Sequence, residues 1–290
     1  MNNIVWLASY PKSGNTWFRI FLTNLLGGMS EPADINDLNF TPIASHRGLF
    51  DNIVGIEASD LTHHEIERLR PSVYDHISRN LKTPFFMKVH DAYTLVDSQT
   101  PLFPTSATKC VIYLIRNPLD VAVSFAHHSG WDYDTSIMNM ADNRMAFCSK
   151  NYKLHIQLRQ TLLTWSGHVK SWTEQSELPV CVLRYEDMKN SPLETFKKAV
   201  RFAGLDFSDK EIAEALKKCT IEELQRQESE NGFREKSYLS KAFFRKGEAG
   251  AWKDDLTEAQ ARQVEYDHEE IMQIYGYKLY QGAGRSHQPL

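Results

Sequence analysis

The chain has no run of about 18 apolar residues, so nothing in it reads as a membrane-spanning helix. Its N-terminus has no basic segment followed by a short apolar core and a small-residue cleavage site, and so carries no secretory pattern. Cysteine is sparse. Cys110, Cys148, Cys181 and Cys219 lie far apart, with no CxxC pair and no histidines at zinc-site intervals, which argues against a metal site. Two of them sit inside apolar runs, the usual place for buried, reduced thiols, and a cytoplasmic protein is expected. An excess of either charge is also missing. The 33 Lys and Arg against 37 Asp and Glu leave a net charge of -4, which gives no broad surface for nucleic acid or membrane and confines any anion site to a local pocket.

Internal repeats, low-complexity blocks and Gly/Ser linkers are absent too, so the 290 residues read as one domain, 1–290. What is present is an alternation of apolar runs with helically spaced segments. Residues 4–8 (IVWLA), 85–89 (FFMKV), 109–115 (KCVIYLI) and 180–185 (VCVLRY) read as strands, the last two apolar enough to be covered on both faces. Helices are expected from Thr16 to the Gly27-Gly28 stop, with Ser13 or Asn15 as cap, and around 62–70, 152–173, 192–203, 208–218 and 257–275. Another should follow the Arg116-Asn117-Pro118 turn, while 30–60 and 226–251 show no period and read as loops. The fold class is therefore α/β: one doubly wound domain with a mostly parallel central sheet flanked by helices.

Ligands of such sheets bind beyond the carboxyl ends of the strands. Each proposed strand leads there to a polar group: Lys12, then Lys88 and His90, then Arg116, then Tyr185. The turn PKSGNT offers a glycine, the N–H groups of a helix N-terminus, the Thr16 hydroxyl and the Lys12 cation, a set suited to phosphate or sulfate. Its lysine precedes the glycine, the reverse of the triphosphate-binding order GxxxxGK[ST], and the alternative is a capped helix beside a solvated lysine. His63-His64 read as solvated, and His127-His128 as a positive helix end that suits the dipole.

Three segments, SYPKSGNTW (9–17), YLIRNPLDVAVSF (113–125) and RKGEAGAWK (245–253), resemble in order and spacing the signature regions of the cytosolic-type sulfotransferases. KVH at 88–90 and RYEDM at 184–188 also fall where that family places its base and an adenine-side tyrosine. The resemblance implies 3′-phosphoadenosine 5′-phosphosulfate (PAPS) as co-substrate, PAP as product and a P-loop-like turn. Lys12, Ser13, Gly14, Asn15, Thr16 and Trp17 would hold the 5′-phosphate, with Trp17 stacking near the adenine alongside Tyr185 and Ile221. Arg116, Ser124, Arg245, Lys246 and Gly247 would hold the 3′-phosphate. His90 would be the base, with Lys12, Lys88 and Ser124 completing the catalytic set and no metal required. Ala251 stands where the family usually has Asp, and Ile221 where it has Phe. The family's KxxxTVxxxE dimer segment keeps only Lys253 and Thr257, with Glu258 and Arg262 departing from it, so the oligomeric state stays open.

The acceptor is expected to be a small or medium organic molecule bearing a hydroxyl or an amine. Its pocket would be built from residues 37–50, from 131–146 with Trp131 and Tyr133, and from the loop carrying Phe233, Tyr238 and Phe243. Two alternatives remain at this point. An ATP-dependent small-molecule kinase would need Mg²⁺ on Asp91 or Asp120. A non-catalytic nucleotide-binding protein of the same fold would have no use for His90.

Overall fold

The computed structural model describes residues 2–28, 30–150 and 152–280, and the last ten residues of the single domain expected over 1–290 lie outside the described residues. Four strands form the central sheet: β1 (Ile4–Ser9), β2 (Phe85–Val89), β3 (Thr108–Ile115) and β4 (Val180–Arg184). All three pairings are parallel, in the order β2-β1-β3-β4. The chain steps from β1 to β2 on one side and then to β3 on the other, so the order reverses between β1 and β3. That crevice is where a doubly wound sheet leaves room for a ligand.

Every residue of β1 is buried, and β3 is buried except at Lys109, as central strands covered on both faces must be. β4 departs from expectation. Val180, Val182 and Arg184 are half-exposed because β4 is an edge strand. The other edge, β2, is covered by residues 42–44: the Lys88 N–H donates to the Pro42 carbonyl and the Lys88 carbonyl accepts from Ala44 N–H, at 2.8 and 2.9 Å. Two apolar cores fill the space on either side of the sheet, one around Trp6, Phe103 and Trp172, the other around Phe18, Phe21 and Phe196.

The helices are α1 (Asn15–Gly27), α2 (Arg47–Val54), α3 (His63–Arg79), α4 (Pro118–Ser129), α5 (Tyr133–Met140), α6 (Trp165–Thr173), α7 (Tyr185–Asn190), α8 (Pro192–Phe202), α9 (Asp209–Lys217), α10 (Ile221–Asn231) and α11 (Glu258–Ile274). Several depart from the expected pattern. α5 and α7 have no counterpart among the expected helices, and α3 runs nine residues beyond the expected 62–70. α2 lies inside the segment expected to be a loop. α6 begins only at Trp165, because residues 146–147 and 160–161 pair as a short antiparallel ribbon instead of extending it. α10 (Ile221–Asn231) is not among the expected helices and takes up the first six residues of the expected 226–251 loop, where Arg226 pairs with Glu223 and Glu230 one turn either way. Among the described residues no helix is long and apolar enough to cross a membrane. All four cysteines are free thiols, three of them buried.

Candidate active site

The turn after β1 is built on two left-handed residues, Lys12 at φ 69° and Gly14 at φ 98°. At position 14 the absence of a side chain also matters sterically, since a Cβ there would lie 2.7 Å from the Tyr185 ring. Gly14 caps α1, and no side chain caps it. The expected caps are engaged otherwise. The Asn15 amide donates to the Leu7 carbonyl (2.8 Å) and Ser9 Oγ (3.2 Å), tying the helix start to β1, while Ser13 is fully buried and its Oγ has no partner. The first N–H groups of α1 are thus left to a ligand.

A cavity of about 770 Å³ opens at this turn. Lys12, Gly14, Asn15, Thr16 and Trp17 line it from the turn, Lys88 and His90 from β2, and Arg116 and Tyr185 from the ends of β3 and β4. Ile221, Arg245 and Gly247 close its far side. Ser124 and Lys246 line a smaller adjoining cavity that shares Arg116, Arg245 and Gly247, whereas Ser13 is not among the lining residues of either. Arg116 bridges the parts: it donates to the Lys12 carbonyl (3.3 Å) and the Glu248 carbonyl (2.9 Å), and its guanidinium lies 4.3 Å from the Tyr185 ring centre. Its buried Nε has no partner. The Trp17 ring stands edge-on to Tyr185 and Phe196, its Nε1 donating to the Cys219 carbonyl at 3.0 Å. Lys246 pairs with Asp254 and Asp255.

Three carboxylates tie down the long connection between α10 and α11. Glu228 accepts the N–H groups of Phe243 and Phe244 at 2.7 and 2.9 Å. Asp120, 3% exposed in the first turn of α4, accepts those of Gly250 and Trp252 at 2.7 and 3.1 Å. Glu235 reaches the end of the cavity lined by Lys88 and His90, where Lys88 Nζ donates to it at 2.8 Å and Arg19 holds it from behind. Gly247 lets this connection close on Ile221, which a Cβ would meet at 2.8 Å.

His90 is held in one tautomer. Its Nδ1 lies 2.8 Å from the Ser9 carbonyl, which can only accept, so Nδ1 carries the proton and Nε2 is left unprotonated. Burial and the neighbouring Lys88 push its pKa well below the usual histidine value, which keeps the ring neutral. Behind it, His168 Nε2 lies 3.1 Å from the His90 carbonyl while Tyr113 bonds His168 Nδ1 at 2.8 Å. Lys12 sits with Nζ 3.9 Å from the Phe243 ring centre, its pKa pushed down to about 7 by burial and by Lys88, Arg116 and Arg245. His128 corrects an expectation: it lines the cavity, and burial with Lys12 and Lys88 drives its pKa down to about 3, so it is neutral rather than a positive helix end. Burial first, and then the cations in the cavity, outweigh the helix dipole there.

The unpartnered Nε of Arg116, the uncapped N-terminus of α1, and the room left by Gly14 and Gly247 fit a nucleotide with phosphates at both ends of the crevice. Residues 2–276 match the sulfotransferase domain family. The chain belongs to that family. It is 27% identical over 274 residues to cytosolic sulfotransferase 13 of Arabidopsis thaliana, covering 89% of this chain and 74% of that protein. It is 25% identical to flavonol 4′-sulfotransferase of Flaveria chlorifolia, covering 90% and 76%. The crystal structure of mouse sulfotransferase SULT7A1 complexed with PAP shares the fold, with a TM-score of 0.59 at 20% identity over 94% of this chain and 84% of that one. The protein is a PAPS-dependent sulfotransferase, with PAPS as co-substrate and PAP as product.

The carboxylates that a kinase would need are used elsewhere in this sulfotransferase. Asp91 is 2% exposed and locked to Arg70 through two bonds of 2.7 and 2.9 Å, and Asp120 is the loop clamp. The acceptor side also differs from expectation. Of residues 37–50, Ile43 lines the cavity, but 131–146 contributes nothing to it: Trp131 packs on Phe125, and the Tyr133 hydroxyl bonds Asp255 at 3.1 Å. Tyr238 points to solvent and Phe233 packs into the Phe243–Phe244 cluster, leaving Phe243 to line the cavity. Residues 147–160 take the place of 131–146, with Phe147, Cys148, Ile156, Gln157 and Gln160 at the wall. They do so because the expected helix starts late. Glu235 had no signal in the sequence beyond being an acid in a basic, aromatic stretch.

Proposed function

We propose that this sulfotransferase moves the sulfuryl group to a hydroxyl, or less favourably an amine, of a small or medium organic acceptor, with His90 as general base. The observation that carries the reading is the His90 ring: Nδ1–H spent on the Ser9 carbonyl and a neutral Nε2 at the cavity wall beside Lys88. PAPS supplies a sulfuryl group activated by a phosphate leaving group. Lys12, Thr16 and the N–H groups that open α1 hold the 5′-phosphate, with Ser13, Asn15 and Gly14 shaping the turn. Arg116, Ser124, Arg245, Lys246 and Gly247 surround the 3′-phosphate, and Trp17, Tyr185 and Ile221 form the adenine walls. Lys12 and Lys88 balance charge developing on the transferring group and the departing oxygen. His90 Nε2 takes the acceptor proton, and its depressed pKa returns that proton to solvent promptly.

Ile43, Phe147, Ile156 and Phe243 give the acceptor side apolar walls, and Gln157 and Gln160 add amides. A flat, apolar acceptor with a polar substituent suits such a lining, and the flavonol named for the Flaveria relative is of that kind. We also place the sulfotransferase in a single domain over 1–290 and in the reducing cytoplasm, in keeping with its free thiols. The test is transfer from sulfur-labelled PAPS, without Mg²⁺, to a panel of phenols, alcohols and amines. His90→Ala should lower turnover by roughly 10²–10⁴-fold while PAP still binds. Transfer that survives the substitution, or that requires ATP and Mg²⁺, would overturn the reading.

A further inference from the structure

Arg19 Nη1 donates to both oxygens of Glu235, at 2.7 and 2.9 Å, and Lys88 Nζ donates to Oε2 at 2.8 Å. Arg19 is 2% exposed and fixed in its turn: Nε and Nη2 donate to the Thr41 carbonyl at 3.1 and 2.9 Å. Rigidity therefore passes from α1 to Arg19, from Arg19 to Glu235, and from Glu235 to Lys88. The remaining groups that face Lys88 offer it no negative charge. They are Arg19 from α1, Lys12 from the turn, His90 after β2 and His128 from α4. A lysine 8% exposed in that company would either shed its proton or swing away.

We infer that Glu235 is a positioning residue: its carboxylate, oriented by Arg19, holds the Lys88 ammonium group beside His90 at the place of sulfuryl transfer. This rests on the assignment of Lys88 to the transferring group. The electrostatics agree with the geometry. Burial lowers the Lys88 pKa and Glu235 works against that fall, while Lys88 and Arg19 overcome the burial of Glu235 and hold its carboxyl at about 2. Glu235 therefore stays ionised wherever the enzyme works. Sequence distance hides the cluster, because Glu235 stands 216 residues from Arg19 and 147 from Lys88.

The obvious competing role is a strap that merely ties the loop to α1. Glu235→Gln keeps the shape and removes the charge, and pH separates the two roles. If Glu235 holds Lys88 charged, the alkaline limb of kcat at saturating PAPS moves to lower pH by about one unit or more, with kcat near pH 6 staying within about threefold of wild type. A strap alone would lower the rate by the same factor at every pH. A second readout needs no turnover: trace acetylation of Lys88 in the ligand-free protein, followed by peptide mass spectrometry, reports the pH at which its amine is free. That midpoint should fall by a similar amount in Glu235→Gln. It should lie between the two in Glu235→Asp, which keeps the charge on a shorter arm and serves if the glutamine variant does not fold. A labelling midpoint that does not move, or a pH-independent loss of rate, overturns the inference. Lys88→Ala separates the underlying assignment: full activity in that variant would remove Lys88 from the reaction, while the labelling shift would still read the hold of Glu235 on it.

Discussion

Asp120 binds the loop that follows Arg245, Lys246 and Gly247 to the helix that carries Ser124, and its replacement by Asn isolates that task. The carboxylate accepts two backbone N–H groups, from Gly250 and Trp252, and is almost fully buried. A hydrogen bond to a charged acceptor contributes about 1.5–3 kcal/mol, against about 1 kcal/mol for a neutral one. In Asp120→Asn the amide oxygen keeps one N–H at the lower value, and the amide nitrogen meets the other donor to donor. Two charged bonds amount to about 3–6 kcal/mol and one neutral bond of about 1 kcal/mol remains, so the docked loop loses about 2–5 kcal/mol. Arg245, Lys246 and Gly247 lie a few residues upstream of Gly250, so the loss appears as weaker nucleotide binding. PAPS KM and PAP Kd should rise by at least about 30-fold. At saturating PAPS kcat should stay within about threefold, since His90 and Lys88 hang from β2 and not from the loop. Initial rates with labelled PAPS and PAP titration calorimetry give both numbers. A folded Asp120→Asn protein with unchanged KM and Kd, or one that loses kcat at constant KM, would refute the account.

Lys12 predicts a pH dependence of PAP binding. With its pKa lowered to about 7, it is charged on the acid side and neutral on the alkaline side in the free protein, and phosphate favours the charged form. Affinity should be full below pH 7 and fall by up to about tenfold per unit above it, measured from pH 7 to 9 where the phosphate is already ionised; Lys12→Met should flatten the curve, and a flat wild-type curve would exclude this linkage. Asp91→Ala leaves the Arg70 guanidinium buried and unpaired, which costs roughly 3–5 kcal/mol and should lower Tm by about 10 °C in a thermal melt. A fall under about 3 °C would show that water or a shifted side chain replaces the partner.

The sheet was legible because β1 and β3 are continuous apolar runs, and continuous runs are what a strand covered on both faces requires. The segment before Trp165 misled because its apolar content was read as helical. Leu154, Ile156 and Leu158 in fact recur every second residue, the period of extended chain, and Thr164 caps α6 through Gly167 N–H. α2 has Leu49, Phe50, Ile53 and Val54 at helical spacing, but Asp, Asn, Pro and Gly on both sides hid it. α10 is held by ion pairs and a Thr220 cap more than by an apolar stripe, so a search for periodicity passes over it. In the site, residues at strand ends and in the turn could be found from position alone. Glu235 could not, since a lone acid in a loop acquires its meaning only when folding brings Arg19 and Lys88 to it.

The three carboxylate clamps divide the connection after α10 into parts with separate duties. Phe243 and Phe244 are pinned by Glu228, Gly250 and Trp252 by Asp120, and Glu235 is itself pinned by Arg19, whereas residues 236–241 between these points include the fully outward Tyr238. None of residues 236–241 is among the cavity's lining residues, so an exchange of their side chains leaves its wall unchanged while the anchors on either side hold the chain in place.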